Sequence, residues 1–460
     1  MFFPKMAVHR KSFRQFPSSP TPQITRLFFC FLAQAVLCLT LLQSMHCERG
    51  NRMSANLRTA LPDNVPVDRV VDFDIYNLTP NVDAHTAWKA LQDSTALPLV
   101  WTPHNGGHWI ALRARVVETV LSDHERFSSY TVLVPKETAG AAYRFYPLSL
   151  DPPRHQPYRR LLNENLMPKS VNPLEGKVRA MTVELIEGFR KRGRCNFILE
   201  FSEVLPLRVF MELVDLPMKD LPRLKHLADQ FTRPDGSIAL PEVTRLFQEY
   251  LAPVIQARRG KPGTDMLSKI INGDIDGRPV TDEEATNLAV QVLVGGLDTV
   301  LNFMGFLMVF LADNPQFRRL LRNDPKRIPD AVMELLRRFP IVADAREVAI
   351  DQDFEGVHLK KGDMLLAPTV LHGLDEAEYD APLEVRIDRR APHHTSFGKG
   401  VHICPGQYLA RMELRVLLEE WLKRIPEFSL EPGSTVEYKG GIDLTVKPYV
   451  LVWNVAETSG

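Results

Sequence analysis

Residues 393–428 read HHTSFGKGVHICPGQYLARMELRVLLEEWLKRIPEF, and the placement of Cys404 inside this stretch decides how the chain is read. Gly398, Gly400 and Gly406 flank the cysteine, so the backbone can turn tightly and come close to a flat ligand. Leu414, Leu417, Leu418, Trp421 and Ile425 then recur at helical spacing. The thiol therefore lies at a predicted helix N-terminus, where the dipole and free N–H groups favour a thiolate. Three roles compete for such a cysteine: buried structural residue, nucleophile or metal ligand. A nucleophile needs a base, yet His402, His393 and His394 have no evident orienting partner in the sequence.

Composition narrows the field. The chain has 460 residues, 45% of them hydrophobic, enough for one large domain or two smaller ones. Lys plus Arg and Asp plus Glu both number 56, which gives no reason to expect a nucleic-acid partner. Of five cysteines, Cys30, Cys38 and Cys47 lie in an N-terminal leader, which leaves only Cys195 and Cys404 in the body and fits a reducing compartment. Cys195, in RGRCNFILEF, reads as a small buried hydrophobe. The leader is basic over residues 1–26 and uncharged from Leu27 to Cys47. That apolar run could serve as a membrane anchor or signal core, but an ordinary start at Met53 is the preferred reading. The chain is thus divided into a leader, residues 1–52, and a catalytic domain, residues 53–460, placed in the cytoplasm.

From Met53 onward helical periodicity dominates and no repeat is found. GGHWIALR and TVKPYVLVW alternate like strands, and FEGVHLKKGDMLLAP reads as a hairpin turning at Lys361-Gly362-Asp363. Thr281 and Glu284 match a capping box that opens a nearly all-apolar segment, ATNLAVQVLVGGLDTVLNFMGFLMVFLAD. Asp298 in its middle argues against a membrane span and for a helix buried in a large domain. Gly295 and Gly296 each cost about 1 kcal/mol relative to alanine, so they signal close approach of another body or a distortion. Gln291, Gly295, Thr299 and Asn302 fall on one stripe, either a capped packing seam or the wall of a reaction chamber.

A lone thiolate is also the axial ligand of haem enzymes that cleave O–O bonds, and this role fits Cys404 best. FGKGVHICPG resembles the cysteine-loop signature of the cytochrome P-450 superfamily. ELLR, VGGLDTV and DPPRHQPYRR resemble its other landmarks in the right order, and FTRPDGS, LVGGLDTVLNF and EWLKRIPEFSL resemble its camphor-hydroxylating bacterial branch. The resemblance implies a mainly α fold with small β-sheets, a single large domain holding haem b (iron-protoporphyrin IX) between a long central helix and the cysteine-bearing helix. It implies Cys404 as the iron's thiolate ligand, and Arg159, Asp344, Arg346, His402 and His155 as contacts to the haem propionates. Glu334, Arg337 and Arg389 would form a buried structural clamp.

By the same resemblance, Asp298 and Thr299 are the acid and alcohol that deliver protons during oxygen activation, with Arg233, Lys225 and Asp229 in support. Tyr143 would hold a substrate ketone, among Leu133, Leu148, Gln291, Val294 and Val342. Leu133, Leu148 and Gln291 depart from the residues expected there. The implied activity is hydroxylation of an unactivated C–H bond of a small, camphor-like terpenoid with O2. Electrons would come from a two-iron ferredoxin and its NADH-dependent reductase. A larger norisoprenoid substrate or a peroxide-driven reaction is the alternative.

Overall fold

Apolar residues at helical spacing give the chain most of its structure, here a computed structural model describing residues 58–79, 82–136, 145–232, 237–261, 263–389 and 392–458, without the side chains of 231 and 232. Residues 56–460 cluster as one unit. The leader, with its apolar run at 27–47, lies outside the described residues.

Helices predominate and the strands are short. A five-stranded sheet runs in the order Leu99–Thr102, His108–Ala111, Met364–Pro368, Ala343–Val348, Phe127–Ser128. Its pairings are antiparallel except where Met364–Pro368 meets His108–Ala111. In Ala343–Val348, Asp344 and Arg346 are two residues apart and share a face. Cys195 is buried on a small strand opposite Leu451.

One strand reading is corrected. The hairpin pairs Gln352–Phe354 with Val357–Leu359 and turns at Glu355-Gly356, both with positive φ. Lys361-Gly362-Asp363 instead carries the chain to Met364–Pro368, in a different sheet. Two glycine-bearing turns stand close together, and Glu355 in a left-handed conformation is the weaker signal of the two.

The apolar central segment becomes two helices, Asp282–Gly296 and Thr299–Asp313, the first opened by the complete Thr281–Glu284 capping box. This stretch is apolar and long enough to cross a membrane, but two-thirds of its most apolar window (67%) is buried inside the molecule. Its glycines differ in purpose. A Cβ on Gly296 would lie 2.4 Å from the Phe210 ring, so that position is held open by packing, whereas a Cβ on Gly295 would meet only Gln291 Nε2, at 3.6 Å. Among the described residues nothing else comes within 4 Å of that position.

The helix after the cysteine loop, Gln407–Arg424, buries Leu414, Leu417, Leu418 and Trp421 against the core, with Ile425 buried just beyond it.

Candidate cofactor and active site

Cys404 stands three residues before its helix, and its N–H donates to the Phe397 carbonyl at 2.7 Å, closing the loop. Gly398 and Gly400 take positive φ within it, and Gly400 presses against Ser122, where a Cβ would lie 2.9 Å from that residue's Cα. Burial pushes the Cys404 thiol up, while the N–H groups of Gly406 and Gln407 and the Arg159 charge oppose that rise. The two amides point at the sulfur from the start of the helix. Pro405, between them and the cysteine, has no N–H to offer.

Four basic side chains surround this loop. Arg346 is 2% exposed, and its hydrogen bond goes to the neighbouring Ala345 carbonyl at 2.8 Å. Among the described residues no carboxylate lies in ion-pair range of it. His155 is buried with neither ring nitrogen partnered, and His402 leaves Nε2 buried and unpartnered, the two rings 4.4 Å apart. Arg159 donates to the Ile403 carbonyl and, at 2.8 Å, to Asn163. Burial, then the charge of Arg346, pushes the His402 ring down to about 2; burial, then Arg159, takes His155 down to about 4. Asp344 Oδ2 lies 3.9 Å from where a Gly398 Cβ would be.

A buried guanidinium with no counter-charge is costly. Here it sits beside orphaned imidazole nitrogens, a recessed thiol and an N–H-rich loop. A flat group that bears a metal and two carboxylates would satisfy these residues together, as haem does. Arg159, Arg346, His155 and His402 would face its propionates, and Cys404 would hold its iron.

Glu334, Arg337 and Arg389 lie together. Glu334 and Arg337 are both wholly buried and joined by two 2.8 Å hydrogen bonds, and Arg389 reaches the same carboxylate at 3.2 Å. Arg337 spends its remaining donors on the carbonyls of Gly373, Pro382 and Glu384.

At the helix break, Thr299 Oγ1 lies 3.4 Å from the Gly295 carbonyl it donates to. Asp298 is 3% exposed and accepts from Asn302 Nδ2 at 3.0 Å. The stripe is therefore split: Gln291, Gly295 and Thr299 stay together, while Asn302 is buried against Asp298. Gln291 keeps a buried amide oxygen without a partner. Val294, Val342 and Leu133 are part-buried against the hydrophobic core, and Leu148 is part-buried too. Lys225 and Asp229 pair with each other at 2.8 Å. Tyr143 and Arg233 lie outside the described residues.

One buried acid was not singled out from the sequence. Glu413, on the cysteine helix, is 2% exposed with an unpartnered Oε2, and burial pushes it up to about 8. Its position four residues before Leu417, on the apolar face, was the available signal.

A family profile described as "Cytochrome P450" matches residues 326–440. "Probable cytochrome P450 127A1" of Sinorhizobium fredii is 32% identical, over 88% of this chain and 99% of that protein. The "Mycinamicin IV hydroxylase/epoxidase" of Micromonospora griseorubida is 30% identical over 76% and 91%. The crystal structure of CYP101J2 is similar with a TM-score of 0.81 and 58% identity, covering 86% of this chain and all of that one. That of CYP101C1 is similar with a TM-score of 0.79 and 43% identity, over the same shares.

Proposed function

This chain belongs to the cytochrome P-450 family and is a haem-thiolate monooxygenase fed by a redox partner, and from that premise we propose that it hydroxylates a small oxygenated terpenoid, camphor or a close analogue. The balanced reaction is substrate-H + O2 + two electrons + two protons giving substrate-OH + water. A two-iron ferredoxin with an NADH-dependent reductase supplies the electrons. Resemblance to the camphor-hydroxylating branch and the two CYP101 neighbours support the class of substrate and donor.

Haem, when bound, supplies dioxygen activation. The chain supplies protons and orientation. The Thr299 hydroxyl, anchored on the Gly295 carbonyl, gives or holds a proton at the open face beside Gly295. Asp298, sequestered with Asn302, renews that proton by exchanging partners. Arg233, Lys225 and Asp229 provide its route from solvent. Thr299→Ala should keep oxygen consumption but release hydrogen peroxide in place of product, whereas Asp298→Asn should slow turnover without that diversion.

The observation that carries the substrate reading is Gln291. Its amide Nε2 lies 3.6 Å from where a Gly295 Cβ would be, one turn on, and can donate a hydrogen bond into the space beside that glycine. A hydrogen bond from that N–H to a substrate carbonyl is worth about 0.5–1.5 kcal/mol, so a ketone that accepts from the amide is favoured over a hydrocarbon. Val294, Val342, Leu133 and Leu148 offer the aliphatic contacts, and Tyr143 a second polar anchor. Titrating the purified enzyme with camphor, camphane and an ionone-type ketone while following the iron spin state tests this. Camphor should bind more tightly than camphane, and Gln291→Leu should narrow the difference. A response to the ionone alone would discard camphor and keep the larger norisoprenoid. Equal binding of ketone and hydrocarbon would contradict the polar anchor.

A further inference from the structure

Three metal-type donors from three separate elements meet, none of them among the haem ligands described above. Glu118 comes from the helix Ala114–Ser122, His372 from the short helix Thr369–Gly373, and His393 from the segment leading into the cysteine loop. Glu118 Oε1 is 2.9 Å from His372 Nε2 and 3.1 Å from His393 Nε2, and the three donor atoms lie within 4.8 Å of one another. A fourth side chain already contacts two of them. Lys399, between Gly398 and Gly400, places Nζ 3.0 Å from the same carboxylate oxygen and 2.6 Å from His393 Nε2.

The electrostatics prepare these groups as ligands. Burial tends to raise the Glu118 carboxyl, but the hydrogen bonds from Lys399 and His372 help to hold it below its ordinary range, so it is ionised. Burial pushes the His372 ring down, so it is neutral, and its Nδ1 has no partner. Nε2, on Glu118, makes that ring's one polar contact. An ammonium that donates to His393 Nε2 requires the lone pair a metal would use.

We propose that Glu118, His372 and His393 form a site for a divalent transition metal of the zinc class, and that Lys399 is the cation that occupies it when the metal is absent. Two imidazoles and one carboxylate match zinc, with water in the fourth position, and suit magnesium or calcium poorly because two of the three donors are nitrogen. Ligand atoms about 2.0–2.2 Å from a tetrahedral metal stand about 3.3–3.6 Å apart, so the two Glu118 contacts, 2.9 and 3.1 Å, need to open by only a few tenths of an ångström. The ion can enter past the His393 side chain, 55% exposed, and Lys399, 33% exposed on a four-carbon stem, can swing out to admit it.

The rival reading is an ordinary ion-pair network that uses the same residues. Equilibrium dialysis of the untagged, haem-loaded full chain against micromolar ZnCl2, with bound zinc measured by atomic absorption, separates them. Wild type should retain one zinc per chain. His393→Ala should bind at least about 10-fold more weakly. Lys399→Met, which removes the competing charge and keeps the stem, should bind several-fold more tightly. An unchanged thiolate spectrum in each variant certifies the fold. No retained zinc, or equal retention by wild type and His393→Ala, would overturn the site. Lys399→Met that binds no more tightly than wild type would overturn the role given to the lysine.

Discussion

Two buried arginines, Arg337 and Arg346, are both nearly inaccessible to solvent and differ in how their charge is met. Arg337 faces Glu334 across two hydrogen bonds, and three backbone carbonyls take its other donors. Glu334 in turn accepts from Arg389 and from the Arg386 N–H. Arg346 has one neighbouring carbonyl and a pair of imidazoles with orphaned nitrogens. The first arrangement is closed within the chain and holds the fold together. The second is one that a ligand bringing negative charge would complete. Burial alone does not distinguish scaffold from site; the bookkeeping of partners does.

Breaking the closed arrangement should have the largest effect. Glu334→Ala leaves Arg337 charged and buried, and removing one partner of such a pair typically costs about 3–5 kcal/mol. Chemical denaturation should show that loss whether or not haem is bound. A loss confined to the haem-loaded protein would erase the contrast.

Arg346→Leu should behave in the opposite sense. The haem-free protein sheds an unpaired buried charge and should be no less stable. Haem retention should fall about 10- to 100-fold, from losing charged hydrogen bonds worth about 1.5–3 kcal/mol. Transfer of haem to an acceptor apoprotein measures this.

The smallest effect is a pH slope. The folded pKa of His155 is lowered from 6.5 to about 4, so its contribution to stability is full above 6.5 and is lost as pH falls from there towards 4. Each such group adds at most about 1.4 kcal/mol per pH unit in that window. Urea midpoints of the haem-free protein should fall between pH 6.5 and 4, more shallowly in His155→Gln. Bound haem should flatten the slope if its propionates lie beside His155 and His402, because they would let the rings accept protons.

The contrast also marks what the sequence disclosed. The cysteine loop was legible because its glycines, thiol and following helix are local, and the capping box and mid-helix acid likewise need only neighbours in the chain. The hairpin turn was misplaced because Glu355-Gly356 and Lys361-Gly362-Asp363 both present a glycine, and strand partnership is decided by the five-stranded sheet. The want of a partner at Arg346 could not be read at all, and for Glu413 the helical spacing hinted at burial but not at the missing partner. Both depend on what tertiary packing does not bring near, and no residue spacing encodes an absence.

The central claim is that Cys404 ligates the iron of a haem held by the unpaired cations around it. The carbon monoxide difference spectrum of reduced wild type and Cys404→Ser protein tests it most directly. Wild type should show the long-wavelength Soret band of thiolate ligation, and Cys404→Ser should lose that band together with substrate hydroxylation while keeping its helical circular dichroism. A Cys404→Ser protein that kept both the band and the activity would contradict the account.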